Sequence, residues 1–196
     1  MNQALTQLQQ WPTTPWVRVV LIQNNAGQLQ GEDGTSASLG NRSDRDHLIK
    51  VRNSADLVIT GAATIRAENP PAPTTHLWVL SSSGNLDPSA RIFQSSRSKV
   101  ISANPLPELP GLPLDSITPA NLIAQASAQN LTRVLIEGGA NIINQFIAAN
   151  LIDEALVTLV DRPGSGEILH RSQFGLTLAQ QFKSTELTIQ QWRKEN

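Results

Sequence analysis

Apolar, strand-like runs alternate with helix-compatible runs through most of this 196-residue chain. That alternation predicts an α/β fold: a central, mostly parallel mixed sheet flanked by helices, with an antiparallel part at the end. Two observations carry the prediction. Trp16 to Ile22 is apolar and β-branched nearly throughout, as an interior strand buried on both faces is. And twice a short apolar strand runs into a glycine and then a helical stretch, at Ala55-Asp56-Leu57-Val58-Ile59-Thr60-Gly61-Ala62-Ala63-Thr64-Ile65-Arg66-Ala67-Glu68 and at Arg133-Val134-Leu135-Ile136-Glu137-Gly138-Gly139-Ala140-Asn141-Ile142-Ile143. Glycine at a strand-to-helix junction lets backbone approach a ligand closely, and the helix that follows presents N–H groups to anionic phosphate. Two such junctions point to a nucleotide or dinucleotide site between them. An ordinary βα turn has the same look, since such turns often need glycine.

In chain order, residues 2–10 can form a short helix with Leu5 and Leu8 on one face, ended by Pro12. The strand from Trp16 follows, then a long polar, glycine-punctuated loop from Gln23 to Asn41. Ser43-Asp44-Arg45-Asp46 reads as a helix start, with Ser43 as N-cap and acids in the first turn where the helix dipole favours them. His47, Leu48, Val51 and Ala55 supply its inner face. A strand is expected over 56–60, a helix start over 61–67, and a break at Asn69-Pro70-Pro71. Leu77 to Leu80 and Lys99 to Ser102 are further strands, the first ending in Ser81-Ser82-Ser83-Gly84. Pro105 to Pro119 reads as a proline-rich loop, not a linker, because alternation resumes directly. Then come a helix from Leu122 to Ala128, a strand over 133–136 and a helix over 140–149 with Ile142, Ile143, Phe146 and Ile147 at helical spacing. Ala155 to Val160 and Ser184 to Trp192 close the chain as strands, the second alternating like an edge or hairpin strand. The whole is expected to be one domain, residues 1–196.

Composition narrows the function. Net charge is −1 and basic residues are scattered, which argues against a nucleic-acid partner. With no cysteine, disulfides, thiolate metal sites and thiol nucleophiles are excluded. The first ten residues have neither a cationic start nor an apolar run, so no signal peptide is expected. Apolar stretches are broken by Arg18 or by Asp153 and Glu154, too early for a membrane span. The expectation is a cytoplasmic protein with a small-molecule substrate, and neither nucleic acid nor membrane as partner.

Several familiar motifs are missing. Neither glycine junction matches G-x-G-x-x-G, and no G-x-x-x-x-G-K-[ST], G-x-S-x-G or H-E-x-x-H pattern occurs. His47, His76 and His170 show no ligand spacing, so no metal is assigned, and no catalytic acid or base is evident. Glu137 is the most suggestive residue: a carboxylate at the C-terminal end of a buried strand sits where open α/β sheets bind ligands. Beside a helix N-terminus, a carboxylate there could accept hydrogen bonds from an amide or imide N–H; a plain helix-capping acid is the alternative. Ser81 to Ser83 could hold a phosphate, or be simply a polar loop.

The runs Arg52-(x)3-Asp56 through Asn69-Pro70, and Val134-Leu135-Ile136-Glu137-Gly138-Gly139 followed by Leu151-Ile152-Asp153-Glu154, resemble the C-terminal reductase domain of bacterial riboflavin biosynthesis. That family carries an R-A-x-x-D-A-[IV]-L-V-G-A-G-T-V-x-A-D-[DN]-P block and a V-E-G-G block followed by G-L-V-D-E. Gly34-Thr35-Ser36-Ala37-Ser38-Leu39 stands where the family has G-E-S-x-W-I, at matching distance from Arg52. The resemblance covers roughly residues 16 to 160.

It implies a dihydrofolate-reductase-like fold and NADPH as cofactor. Position by position, it implies that Thr64 and Glu68 (in place of the usual Asp) contact NADPH, with Gly61 and Ala63 shaping the turn and Ser38 also on the cofactor side. Ser82 would bind the 2′-phosphate side of the adenosine, and Gly138, Gly139, Ala140 and Asn141 would cradle the pyrophosphate through backbone N–H groups. Glu137 would hold the substrate pyrimidine, and Ser36 and Arg52 would grip its ribose phosphate. The chain departs from the family at Asn24-Asn25-Ala26-Gly27, where the usual S-L-D-G has an acid, and after Pro70, where an L-T-V-R arginine is replaced by Pro71-Ala72-Pro73-Thr74-Thr75-His76. The zinc deaminase often fused upstream is expected to be absent, since the chain has no cysteine ligands.

The expected function is therefore an NADPH-dependent reductase of a phosphoribosylamino-pyrimidine, 5-amino-6-(5-phosphoribosylamino)uracil or a close relative. The alternatives are a nucleotide-binding paralogue that has lost catalysis and a same-fold reductase with another heterocycle. Family members commonly pair as dimers near the C-terminus, and the alternating Glu186-Leu187-Thr188-Ile189-Gln190 run is an edge that needs covering, so a homodimer is expected.

Overall fold

Strands buried on both faces organise the molecule. In β1 (Trp16–Asn24), Val19 packs on one side of the sheet while Val20, its neighbour, packs on the other. The computed structural model describes residues 10–12, 15–185 and 187–195; the helix expected over 2–10 falls almost wholly outside these, as does Glu186. The remaining strands are β2 (Gln28–Gln30), β3 (Leu57–Gly61), β4 (His76–Leu80), β5 (Ser98–Ser102), β6 (Gly111–Pro113), β7 (Arg133–Glu137), β8 (Glu154–Val160), β9 (Ser165–Ile168), β10 (Thr177–Lys183) and β11 (Thr188–Arg193). They form a nine-stranded sheet in the order β10-β11-β8-β1-β7-β3-β4-β5-β6, with β2 and β9 as a separate antiparallel pair. From β8 to β6 every neighbouring pair is parallel; β11 and β10 add an antiparallel hairpin at one edge.

The helices are α1 (Arg42–Ser54), α2 (Ala62–Glu68), α3 (Pro119–Ala128) and α4 (Ala140–Ala148). Val51 of α1 and Ile65 of α2 join Val20, Val58, Val79 and Leu135 on one face. Leu122 of α3 and Ile142, Ile143 and Phe146 of α4 join Val19, Ile59, Ile136 and Val157 on the other. Three layers result, and each strand's alternate side chains feed different cores. No helix among the described residues is long and apolar enough to cross a membrane.

Several boundaries differ from expectation. Asn41 caps α1, its side chain accepting from Asp44 N at 2.9 Å, so Ser43 lies inside the helix. Asn41 wins because its extended backbone puts the amide oxygen over the open N–H groups. The polar loop from Gln23 contains β2, turned by Asn24, whose Oδ1 accepts from Ala26 N and Gln28 N at 3.1 and 2.9 Å. The proline-rich stretch contains β6, an edge strand, where prolines interrupt no two-sided ladder. At the C-terminus, Ser184 belongs to a turn closed by Ser184 N to Leu187 O at 2.9 Å, so β11 begins at Thr188 and β10 precedes it. A buried ion pair ties this hairpin down: Arg18 Nε lies 2.8 Å from Glu154, whose other oxygen meets Arg193 Nε at 2.9 Å.

Candidate active site

The parallel register lines up the carboxyl ends of β7, β3 and β4, with β1 running on past them to Asn24. Val20 pairs with Glu137, Ile59 with Ile136, and Gly61 with Leu80. The turns after β3, β4 and β7 therefore rise from one sheet edge, where open α/β sheets bind ligands.

Both glycine junctions meet there. Gly138 and Gly139 hold φ of +60° and +69°, a left-handed backbone that favours glycine. A Cβ added at Gly138 would lie 3.1 Å from Thr64 Oγ1, so α2 and the β7–α4 turn touch through Thr64. Gly139 is the N-cap of α4 and makes no side-chain cap hydrogen bond. Ala140, the first residue of α4, is buried, whereas Asn141 is exposed with Oδ1 accepting from Gln145 Nε2 at 3.4 Å. Gly61 is buried against Ile142, and Ala63 is exposed.

Around the turn stands a charged cluster assembled from distant segments. Arg52, in the last turn of α1, donates from Nε to both oxygens of Glu137 at 2.7 Å, and its NH2 lies 2.6 Å from Oε2. Burial works against the Arg52 charge, yet the Glu137 carboxylate and then Glu68 hold its guanidinium above its usual value. Glu68, at the end of α2, accepts from Ser36 Oγ at 2.6 Å. Glu68 thus stands with Ser36 and Arg52, on the side expected for substrate, while Thr64 meets the glycine turn. Two carboxylates around one guanidinium leave the cluster with one net negative charge.

Two site residues stay apart from this group. Ser38 Oγ donates to Asp33 Oδ1 at 2.6 Å and lies 3.1 Å from Thr35 O, closing its own loop. Ser82 is exposed on the loop after β4, and among the described residues its hydroxyl has no hydrogen bond. Thr60, just before Gly61, also reaches this edge, and its buried Oγ1 finds no partner among the described residues. Its type resembles any strand threonine, so nothing in the sequence marks it.

The backbone fits a phosphate-bearing dinucleotide: a left-handed glycine pair, whose first member would crowd Thr64 if it carried a Cβ, leads into a helix whose start lacks a side-chain cap. A helix-flanked mixed sheet with its site at the carboxyl edge is the dihydrofolate-reductase-like fold. Dihydrofolate reductase from Enterococcus faecalis, complexed with NADP(H), is similar with TM-score 0.63 at 12% identity over 93% of this chain and 98% of that one. Residues 15–164 match the family described as the RibD C-terminal domain, and the chain belongs to that family, the reductase-like family of riboflavin biosynthesis. No curated protein matches it in sequence. Among solved structures, a pyrimidine reductase-like protein from Corynebacterium diphtheriae is similar at TM-score 0.75, with 22% identity over 93% of this chain and 92% of that one. The diaminohydroxyphosphoribosylaminopyrimidine deaminase/5-amino-6-(5-phosphoribosylamino)uracil reductase of Thermotoga maritima gives 0.77 at 15% identity, covering 93% of this chain and 57% of that one. Riboflavin biosynthesis reductase from Saccharomyces cerevisiae gives 0.70 at 15%, covering 94% and 91%. At these identities the likeness is one of fold.

Proposed function

We propose that this chain is an NADPH-dependent reductase of a phosphoribosylamino-pyrimidine, of the 5-amino-6-(5-phosphoribosylamino)uracil type, acting as a cytoplasmic, single-domain homodimer in riboflavin biosynthesis. When bound, NADPH supplies the hydride that reduces sugar C1′, opening ribosyl to ribityl. Gly138, Gly139, Ala140 and Asn141 would hold the pyrophosphate through backbone N–H groups, and Thr64 would close the turn beside it.

The observation that carries the reading is the Arg52–Glu137 pair. Glu137 suits the paired N–H donors of a pyrimidine, and Arg52 suits a sugar phosphate. Here each stands in for the other's ligand: the guanidinium offers Glu137 an N–H fork, and the carboxylate offers Arg52 an oxyanion pair. A ligand bearing both an N–H pair and an anion can replace both halves at once. A ligand with only the anion leaves the buried Glu137 carboxylate without its partner, which is costly, and one with only the N–H pair leaves the half-buried Arg52 guanidinium without its anion. The residues' work is otherwise orientation, holding two rings at near-attack distance.

The test is NADPH oxidation with the phosphoribosylamino-pyrimidine beside its dephosphorylated form. Turnover that requires the phosphate supports the proposal; turnover of neither favours a second reading, a nucleotide-binding paralogue without catalysis. That reading has support in Ala26, exposed where the family has an acid. The dimer proposal has support in β10, exposed on both faces with Leu178 at 42% exposure. Light scattering at micromolar concentration should give twice the chain mass.

A further inference from the structure

We propose that Arg66, at the far end of α2 from the glycine junction, selects the phosphorylated dinucleotide by taking the adenosine 2′-phosphate together with Ser82. The inference rests on the reductase reading and adds the residue that decides between NADPH and NADH.

Arg66 is exposed in the last turn of α2 and donates from NH1 to Asn85 O at 3.0 Å. Because Gly61 pairs with Leu80, the loop after β4 rises beside the junction from which α2 departs. The bond therefore ties the guanidinium to the serine loop and uses one of its five N–H donors. That loop has a fixed shape. Gly84 holds φ +67°, a Cβ there would run into Leu106 Cδ2, and Ser81 Oγ accepts from Gly84 N at 3.0 Å. Ser83 Oγ accepts from Asn85 N at 3.3 Å. Ser81 and Ser83 are thus committed to the loop backbone, and Ser82 alone of the three has no hydrogen bond among the described residues.

Against the same loop lies a cavity of about 300 Å³, lined by Gly84, Leu86, Pro88, Leu106 and Leu109, with Glu108 as its charged group. A small apolar slot with one acceptor suits a planar base bearing an exocyclic amine. The cationic fork and the free hydroxyl on the loop beside it suit a dianion on the adjoining ribose. The acid nearest Arg66 in sequence, Glu68, accepts from Ser36 Oγ at 2.6 Å, and the one nearest the serine loop, Asp87, has its Oδ1 engaged by Ser89 N and Oγ at 2.8 and 2.7 Å. A ribose with a plain 2′-hydroxyl gains little from a guanidinium, whereas a phosphate gains a charge-assisted, two-point contact.

Arg66→Gln and Arg66→Lys are tested by titrating NADPH and NADH against each variant, with adenosine 2′,5′-bisphosphate as competitor and circular dichroism to check folding. Arg66→Gln should weaken NADPH and the bisphosphate by about 10- to 150-fold while NADH stays within about two-fold. Arg66→Lys should fall between Arg66→Gln and the natural protein, keeping charge but losing the fork. Equal losses for both dinucleotides, as loop distortion alone would give, overturn the inference. So does unchanged NADPH affinity in Arg66→Gln. A natural protein that binds neither dinucleotide overturns the reductase reading itself, and the inference with it.

Discussion

Glu137 ends a buried strand, and among the described residues its side chain is met by the Arg52 fork, 85 residues away in the chain. Glu137→Gln keeps the shape of the side chain but removes the charge and one acceptor. If the carboxylate serves the substrate ring, turnover should fall by about 1.5–3 kcal/mol, or about 10- to 150-fold, with NADPH affinity within a few-fold. Loss of NADPH binding together with stability would make Glu137 a capping acid instead. Arg52→Lys keeps the charge but cannot span both carboxylate oxygens, so KM for a phosphorylated substrate should rise more than kcat falls. At this scale the sequence marks individual residues: a strand-end acid before paired glycines is visible from pattern. Their pairing was not visible, because spacing carries no information across 85 residues. Nor was the attachment of Glu68 to Ser36, which depends on how the loop after β2 folds back over α2.

Between elements, the β7–α4 turn is held by two left-handed glycines against Thr64. Gly138→Ala would force a Cβ into the left-handed region and to 3.1 Å from Thr64 Oγ1. Such strain costs on the order of 1–3 kcal/mol, so the variant should melt earlier and bind the dinucleotide less tightly. Gly139→Val has more space, with Thr64 Oγ1 3.9 Å from the added Cβ, but at φ +69° it bears the same left-handed strain, so it should melt earlier while still folding by circular dichroism and losing cofactor binding. Unchanged affinity there would make the turn purely structural. The cap of α1 gives a separate check. Asn41→Ala should cost about 0.5–2 kcal/mol in denaturant unfolding, since it removes the acceptor for Asp44 N at the head of the helix that ends in Arg52. Long elements were legible because they span enough residues to display a period. The three-residue strands β2 and β6 display none, and β2 forms only because β9, some 135 residues on, pairs with it. The start of α1 was misplaced because Asn41 and Ser43 are both good caps, and only backbone angles choose between them.

Over the whole molecule, the apolar strands announced a parallel, doubly covered sheet, but the strand order had no local signature, since β1 comes to lie between β7 and β8. That order buries charge: Arg18 of β1 is fully enclosed against Glu154 of β8, and His47 of α1 is buried near it. Burial, then the charges of Arg18 and Lys50, push His47 down from 6.5 to about 4, so the folded protein keeps it neutral where the unfolded chain protonates. Between pH 6.5 and about 4 the unfolded state binds more protons, so stability must fall with pH there, by on the order of 3 kcal/mol across the window. Asp44 opposes this weakly near the bottom of the window, because burial raises its folded pKa above 3.8 and lets the folded state take up its proton first. Asp56 acts below the window: despite burial, its bonds to Arg133 hold it under 3.8, so its contribution is lost only at lower pH. Chemical denaturation from pH 7 to 4 should therefore show a slope that His47→Gln flattens, even if that variant is less stable at pH 7. An unchanged slope in His47→Gln would assign the acid sensitivity to the carboxylates and not to the histidine enclosed beside Arg18.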